Sequence, residues 1–228
     1  MMKYPIGENM KKTVKLDYEV YSTSYAIRKT LDKIEAEYDV ISFDIETRSI
    51  YTKFQRELAK TYLAGDNLSI EEENEYTRIL HSSGLSHPSI VKTTHIILGL
   101  SDTKSVIFIV DERLERYVFS RLVNTSLKIL IHNASFDLKL VHHRTGRFPK
   151  DFEDTQQLAK VLINDCNNYK SRTGLKVLMG SYFPAKWSIK EETDYEIDNL
   201  KDDNFLEYCH YDGVAVMQLW DMLKDMKQ

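Results

Sequence analysis

The chain has 228 residues, of which 42% are hydrophobic and 29% are charged, and its formal net charge is −4 at pH 7. This is the composition of an ordinary globular domain, and the acidic excess argues against a broad basic surface that would bind nucleic acid by charge alone. A metal-dependent nuclease stays open, because bound cations supply positive charge locally.

The cysteines and the N-terminus indicate a reducing compartment. Cys166 and Cys209 are too few and too isolated for a disulfide framework or a paired-cysteine metal site. The start of the chain lacks the apolar core of a signal peptide, and no apolar run approaches the roughly 18 residues of a membrane span. We therefore expect a cytosolic protein with no membrane partner.

Hydrophobic periodicity predicts strands in the first half of the chain and mainly helices in the second. The run "DVISFDIE" (39–46) is almost continuously apolar, which is typical of a central strand buried on both faces. We therefore expect an α/β fold with a mixed sheet flanked by helices. The predicted strands are 18–23, 39–46, two within 93–110 around the turn "SDTK", and 127–133; the predicted helices are 24–39, 112–124, 134–143, 154–164, 174–183 and 203–226.

Residues 48–92 depart from this rhythm. The segment is polar and predicts two helices, 53–64 and 69–80, the second beginning with a capping box of Ser69 and Glu72. We expect it to be a helical insertion within a single domain that spans residues 1–228. A solvated helical hairpin is the simpler interpretation, and a surface for substrate or a partner is the alternative.

The strand at 39–46 ends in two carboxylates. Asp44 and Glu46 project to the same side, because side chains alternate along a strand. Two such anions repel each other unless a cation lies between them, and Mg²⁺ prefers oxygen ligands of this kind. Taken alone, the pair is common at exposed strand ends, so it predicts a metal site only together with further acids.

A third acid follows the next buried strand. Asn133 comes directly after "KILIH" and is a good N-cap for the following helix. This arrangement places Asp137 near the helix N-terminus. Asp137 could serve only to complement the helix dipole, or it could join the other acids.

Asp212 is more informative, because it interrupts an apolar stripe. Steps of three and four residues along the last predicted helix join Cys209 to Val216, and Asp212 falls between them. A buried acid costs free energy unless it is paired, hydrogen-bonded or bound to metal, although an acid at the margin of the stripe is the simpler alternative. Tyr208 lies one turn earlier, so its hydroxyl can reach Asp212, and Gly213 would allow a close backbone approach.

The motifs "FDIET", "NASFD" and "YCHYD", in that order, resemble those of the DEDD 3′–5′ exonuclease superfamily, which includes the proofreading domains of family A DNA polymerases and ribonuclease D. The resemblance extends over about residues 16–226. It implies an RNase H-like fold. Carried over residue by residue, the four acids of the family are Asp44, Glu46, Asp137 and Asp212.

The residues before the last acid resemble the tyrosine branch (DEDDy) of this superfamily. The other branch has His five residues before that acid, where this chain has Glu207, whereas Tyr208 stands at the position of the branch tyrosine. His210 is two residues from Asp212 and therefore points away from it on a helix. The long insertion is similar to the exonuclease regions of phage family A polymerases.

The resemblance implies a hydrolase that uses two divalent metal ions, Mg²⁺ or Mn²⁺, with Asp44 bridging them. Asp44, Glu46 and Asp212 would bind the ion that activates water, and Asp137 would support the second. Tyr208 would orient the attacking water, because a phenol with a pKa near 10 is a poor base at neutral pH.

The implied substrate is the 3′ end of single-stranded DNA, released as 5′-mononucleotides. Thr47 and Asn133 match positions that contact the terminal nucleotide in relatives, although Asn133 could be only the cap. The chain ends 16 residues after Asp212, which leaves no room for a polymerase domain. We therefore expect a free-standing proofreading subunit or an excised domain that serves a DNA polymerase during DNA replication, in the cytoplasm of a bacterium or a phage-infected host.

Two alternatives stay open at this point. The first is a 3′–5′ exoribonuclease similar to ribonuclease D, whose substrate is RNA; the absence of a further C-terminal helical domain weighs against it. The second is a catalytically silent docking subunit of a polymerase. The presence of all four acids and Tyr208 weighs against that second alternative.

Overall fold

A six-stranded sheet forms the centre of the computed structural model, which describes residues 17–65, 68–81, 88–163, 173–183 and 199–226. Its strands lie in the order β1-β4-β3-β2-β5-β6. Strand β3 is antiparallel to both of its neighbours, and the other strand pairs are parallel, so the predicted mixed sheet is confirmed. The strands are β1 (Asp17–Tyr21), β2 (Val40–Ser49), β3 (Val91–Gly99), β4 (Lys104–Ile109), β5 (Lys128–Ile131) and β6 (Phe152–Asp154).

Helices cover both faces of this sheet. One face packs against α1, α4 and α5, and the other against α8, which crosses β2, β3, β4 and β5. Helices α6 and α7 pack on the outer side of α8. The helices are α1 (Ser24–Glu37), α2 (Lys53–Ala64), α3 (Ile70–His81), α4 (Glu112–Asn124), α5 (Ser135–Thr145), α6 (Thr155–Ile163), α7 (Leu175–Tyr182) and α8 (Asp203–Met226).

The central strand β2 separates its side chains cleanly between the two faces. Ile41, Phe43 and Ile45 are buried in the core beneath α1, α4 and α5. The alternate residues therefore face α8. Among these, Asp44 directly follows the consecutively buried residues 41–43. The apolar run thus holds the strand in the middle of the fold, while its other face is left for polar groups.

Helix α8 approaches the sheet very closely at Gly213. The Ser42 hydroxyl donates a hydrogen bond to the Gly213 carbonyl (2.7 Å) and accepts one from the Gly99 backbone N–H (3.0 Å). A Cβ atom on Gly213 would lie 2.7 Å from Cγ2 of Ile97, which is closer than packed carbon atoms allow. The absence of a side chain at Gly213 therefore sets the distance between α8 and β3.

The predicted helices of the segment 48–92 are present. Helix α2 begins with a capping box of Thr52 and Gln55, and the backbone N–H of Glu72 donates to the Ser69 hydroxyl before α3. The two helices pack on each other around the buried Ala59. They leave the sheet at the end of β2 and return through a 3-10 turn, Pro88–Ile90, at the start of β3.

Two features differ from the sequence-based expectation or lie outside it. Strand β6, Phe152–Asp154, was not predicted, because three residues are too short to show a period. The N-terminal segment 1–16 and Cys166 lie outside the described residues, and Cys209 is buried as a free thiol. No helix in the described parts of the chain is both long and apolar enough to cross a membrane.

Substitution of Gly213 tests whether the close approach determines stability. We expect Gly213→Ala to lower the free energy of unfolding by about 2–4 kcal/mol, because the new Cβ forces α8 away from Ile97. Gly174→Ala is the matched control, since a Cβ atom there meets nothing within 4 Å. Urea unfolding of both variants measures the difference, and equal stabilities would show that α8 can shift at no cost.

Candidate active site

Three carboxyl groups meet where β2 emerges from the core beneath α8. Ligand oxygens of Asp44, Glu46 and Asp212 all lie within 4.8 Å of one another, and all three residues are partly exposed. The register of β2 with β3 shifts directly after Glu46, and the Thr94 hydroxyl donates to the Glu46 carbonyl across this irregularity (3.1 Å). Such a bulge alters the twist of the strand and so directs the neighbouring side chain.

The fourth acid, Asp137, reaches the same site from the first turn of α5. Its side chain is only 4% exposed, and its Oδ1 atom has no hydrogen-bond partner among the described residues. Burial raises its pKa well above the ordinary value, and the charge of Asp44 raises it further. An unpartnered buried carboxylate oxygen is costly, which is consistent with a cation as its missing partner.

Burial disfavours the ionisation of all four acids, and the charge of Asp44 disfavours that of the other three further. Burial raises the pKa of Asp44 to about 6, and burial together with the Asp44 charge raises that of Asp212 to about 7. The pKa of Glu46 is raised well above its ordinary value by burial and then by Asp44, Asp212 and Asp137. Oxygen donors that repel one another at this spacing fit a hard divalent cation such as Mg²⁺.

Tyr208 lies beside this cluster, one helical turn before Asp212. A side-chain hydrogen bond joins the Tyr208 hydroxyl to the Asp212 carboxylate. Burial, followed by the charges of Asp212 and Glu46, raises the pKa of Tyr208 far above its ordinary value. The phenol therefore keeps its proton at neutral pH and acts as a hydrogen-bond donor, as its place in the sequence predicted.

The predicted N-cap at Asn133 is wrong. Helix α5 has Ala134 at its N-cap position, and no side chain forms a cap hydrogen bond there. Asn133 has a positive φ of 59°, and the Asp154 carboxylate accepts hydrogen bonds from the backbone N–H groups of Asn133 and Ala134 (both 3.1 Å). A carboxylate from the last residue of β6 thus replaces the local cap and fixes the turn that leads to Asp137.

The two predicted substrate contacts lie at the same edge of the sheet. Thr47 follows Glu46 directly, at the register shift, and is partly exposed. The Asn133 side chain is exposed after the end of β5, where its carbonyl oxygen is 3.5 Å from the Ser135 hydroxyl that donates to it. Because β2 and β5 are parallel neighbours, both residues are carried to one edge.

The histidines excluded by helical spacing lie away from the acids. Nδ1 of His210 is 2.8 Å from the Ser105 hydroxyl, and its ring contacts Tyr18 on the side of β1. Burial lowers the pKa of His210 to about 4, so its ring is neutral. His142 stacks on Phe148 at the far end of α5.

Sequence reasoning missed Lys176, on the first turn of α7. Its Nζ atom lies 5.1 Å from the centre of the Tyr208 ring. The positive charge of Lys176 lowers the pKa of both Glu46 and Asp212, against the larger effect of burial. Nothing in "GLKVLMGSYF" distinguishes this lysine from an ordinary surface lysine, because α7 is brought to the site only by tertiary packing.

The fold and the site together define a class of protein, namely an RNase H-like α/β domain with four acids at one edge of its mixed sheet. A family model described as 3′–5′ exonuclease matches residues 90–228, which is more than half of the chain. The chain therefore belongs to the 3′–5′ exonuclease family, whose activity is hydrolytic. The matched segment contains Asp137 and Asp212, whereas Asp44 and Glu46 precede it.

Several solved structures share the fold. NrnC of Brucella melitensis superposes with a TM-score of 0.58 at 16% identity, over 94% of this chain and 82% of that one. RNase D of Escherichia coli gives 0.61 at 15%, over 92% and 45%, and the catalytic core of RRP6 from Trypanosoma brucei gives 0.61 at 13%, over 93% and 47%. Identities this low show the fold alone, and a comparison with curated protein sequences finds no match.

The mutual repulsion of the acids makes the stability of the metal-free protein depend on pH. Groups whose pKa is raised on folding bind more protons in the folded state, so their contribution to stability falls as the pH rises through about 6 to 7. We expect Asp44→Asn to raise the free energy of unfolding by about 1–3 kcal/mol at pH 8 in EDTA, and by less at pH 6. Denaturant titrations at both pH values measure this gain. Asp225→Asn at the exposed end of α8 is the control, and a destabilised Asp44→Asn protein at pH 8 would contradict the repulsion.

The role of Asp154 can be tested by a change of equal size. We expect Asp154→Asn to lower the free energy of unfolding by about 1–3 kcal/mol, because it removes one acceptor oxygen of a carboxylate that receives several backbone N–H groups. Exonuclease activity should fall as well, since the turn before Asp137 loosens. Asp151→Asn removes a carboxylate that is 55% exposed and should change neither quantity measurably. A fully active and stable Asp154→Asn protein would show that the Asp154 carboxylate does not fix the turn before Asp137.

Proposed function

We propose that this protein is a metal-dependent exonuclease that hydrolyses the terminal phosphodiester bond at the 3′ end of single-stranded DNA. It releases 5′-mononucleotides and serves as the proofreading activity of a DNA polymerase. The observation that carries the proposal is the convergence of Asp44, Glu46 and Asp212 within 4.8 Å, with Asp137 buried beside Asp44. This group of oxygen donors suits divalent cations. It is the one group of three or more potential metal ligands found among the described residues.

The acids divide between two ion positions in this proposal. Asp44, Glu46 and Asp212 would hold the first ion, and Asp44 and Asp137 would hold the second. When bound, two Mg²⁺ or Mn²⁺ ions supply charge stabilisation for the attack of water on phosphorus and for the departing oxygen. The chain itself fixes the ligands on β2, α5 and α8, which are rigid elements of the core.

Tyr208 and two polar residues orient the reactants. The Tyr208 hydroxyl donates its one proton to Asp212, so its oxygen accepts a hydrogen bond from the attacking water and positions it. Its raised pKa keeps it protonated, so it does not act as a base. Thr47 and Asn133, at the same edge of the sheet, contact the terminal nucleotide. The exposed side-chain amide of Asn133 is available for such a contact, because the Asp154 carboxylate, and not this side chain, accepts the hydrogen bond from the backbone N–H of the turn.

Both DNA and RNA have support as the substrate. The family model that matches residues 90–228 takes its name from DNA polymerase A, which favours DNA and a polymerase partner. The structural neighbours include RNase D and RRP6, and one NrnC structure is described as bound to pGG. An exoribonuclease similar to ribonuclease D is therefore the second candidate function.

We also propose that residues 1–228 form one exonuclease domain, with residues 48–92 as an insertion. Helices α2 and α3 pack on each other, and the segment that carries them begins where β2 ends and finishes where β3 begins, which supports an appended hairpin. The hairpin stands beside Thr47 at the edge that carries the acids. It is therefore placed to contact the strand that enters the site or the polymerase that delivers it.

The test compares two 5′-labelled oligonucleotides of one sequence, DNA and RNA, with Mg²⁺ or Mn²⁺. We expect a ladder that shortens from the 3′ end, with DNA degraded faster, and loss of activity by more than about 1,000-fold in Asp212→Asn. Asp221→Asn, an exposed acid on the same helix, should keep full activity. Faster degradation of RNA than of DNA would favour the ribonuclease. Activity of Asp212→Asn equal to that of the wild-type protein would reject the proposed site.

A further inference from the structure

Lys176 is a cation at the edge of the acid cluster. The mechanism proposed above assigns no role to it. Its ammonium lies over the ring of Tyr208, 5.1 Å from the ring centre, and the side chain is half-buried. Tyr208 is in turn hydrogen-bonded to Asp212. The ammonium therefore lies beside Tyr208, close enough to the cluster for its charge to act on Glu46 and Asp212.

Helix α7 packs against α8 and is connected to the sheet. The backbone of Lys176 is therefore held in a fixed position relative to the site. Leu178 and Met179 are buried against α8, in the cluster that contains Ala215 and Leu219. Just before α7, the Thr173 carbonyl accepts a hydrogen bond from Nε2 of His132, which directly follows β5 (3.0 Å); Nε2 carries the proton because a carbonyl oxygen can only accept. The backbone that carries Lys176 is thus tied both to α8 and to the sheet.

The balance of charge shows what this cation can do. Four carboxylates carry four negative charges, and two divalent ions neutralise them. The phosphodiester at the cleavage position then brings one further negative charge into this partly buried site, where an unmatched charge is costly. Lys176 supplies a positive charge that matches it.

Without metal, the ammonium acts as a partial counter-ion for Glu46 and Asp212, whose pKa values it lowers. Once metal ions neutralise the carboxylates, this attraction weakens and the ammonium can bind another anion. A lysine has a long flexible stem and three donors, which suits it to a phosphate oxygen. Before substrate binds, a cation–π contact with the face of the Tyr208 ring holds the Lys176 ammonium at the site.

We propose that Lys176 binds a non-bridging oxygen of the phosphodiester at the cleavage position, and so completes the charge balance of the loaded site. This inference rests on the proposed exonuclease function and assigns a substrate contact to a third helix, α7, in addition to β2, α5 and α8. It also gives α7 a direct part in the reaction beyond packing on α8.

The test compares the wild-type enzyme with Lys176→Gln, Lys176→Arg and the control Lys29→Gln. Lys29 is exposed on α1, so its replacement makes the same change in net charge away from the site. We expect Lys176→Gln to lower kcat/KM for a labelled single-stranded oligonucleotide roughly 10- to 100-fold at saturating Mg²⁺. Lys176→Arg should recover most of this loss, because the charge is kept.

Two further readouts separate a phosphate contact from a structural effect. The plot of log(kcat/KM) against log[KCl] should become less steep by about 0.7 in Lys176→Gln, which is the change expected when a protein binds one phosphate fewer on a single strand. Calorimetric titration of Mn²⁺ without nucleic acid should show binding that is unchanged or tighter, because a competing cation has been removed.

The inference is overturned if Lys176→Gln matches Lys29→Gln in kcat/KM and salt dependence, or if its loss of activity is accompanied by weaker Mn²⁺ binding. Failure of the wild-type protein to degrade any oligonucleotide would instead reject the proposed function. The two failures are therefore distinguishable in a single set of measurements.

Discussion

The contact between α8 and the centre of the sheet determines the geometry of the whole site. At Gly213 the helix backbone lies close enough to β2 for the Ser42 hydroxyl to bridge the Gly213 carbonyl and the Gly99 N–H. Asp212 is the neighbour of this point of contact on the helix, and Asp44 is two residues beyond Ser42 on the strand. A carboxylate from one end of the chain therefore meets a carboxylate from the other only because neither glycine carries a side chain.

This arrangement concentrates negative charge at the expense of stability. Burial raises the pKa of every acid in the cluster, and the charge of Asp44 raises the pKa of the other three further, while the favourable contacts within reach compensate only in part. The hydroxyl of Tyr208 and the ammonium of Lys176 each lower the pKa of Asp212 against a larger effect of burial. The continuous apolar core on the other face of β2 holds the strand in place despite this repulsion. Metal binding would relieve the repulsion, so the free energy stored in the metal-free cluster is returned as affinity for the ions.

The sequence predicted those parts of the site that depend on local periodicity. Asp44 and Glu46 were paired because strand side chains alternate, and Asp212 stood out because it interrupts a helical apolar stripe. The N-cap at Asn133 was wrong for a physical reason: the Asp154 carboxylate, 21 residues further on, binds the backbone that a local cap would have bound. Lys176 could not be found in the same way, since its distance to Tyr208 is set by the packing of α7 on α8. Periodicity shows which face a residue occupies but not which distant segment lies opposite.

The connections that assemble the site are all side-chain to backbone hydrogen bonds between distant segments. Ser42 reaches Gly213, 171 residues away; Asp154 holds Asn133, 21 residues away; and His132 reaches Thr173, 41 residues away. Each connection ends within four residues of a proposed ligand or of Lys176. The acids therefore cannot converge in a partly folded chain, because their positions depend on β2, β5 and α8 being packed together at once. The segment 90–228, which matches the family model, lacks Asp44 and Glu46 of β2, two of the carboxylates that converge with Asp212. Metal binding and completion of the fold should thus be coupled, with the ions stabilising the contact at Gly213 on which their own site depends.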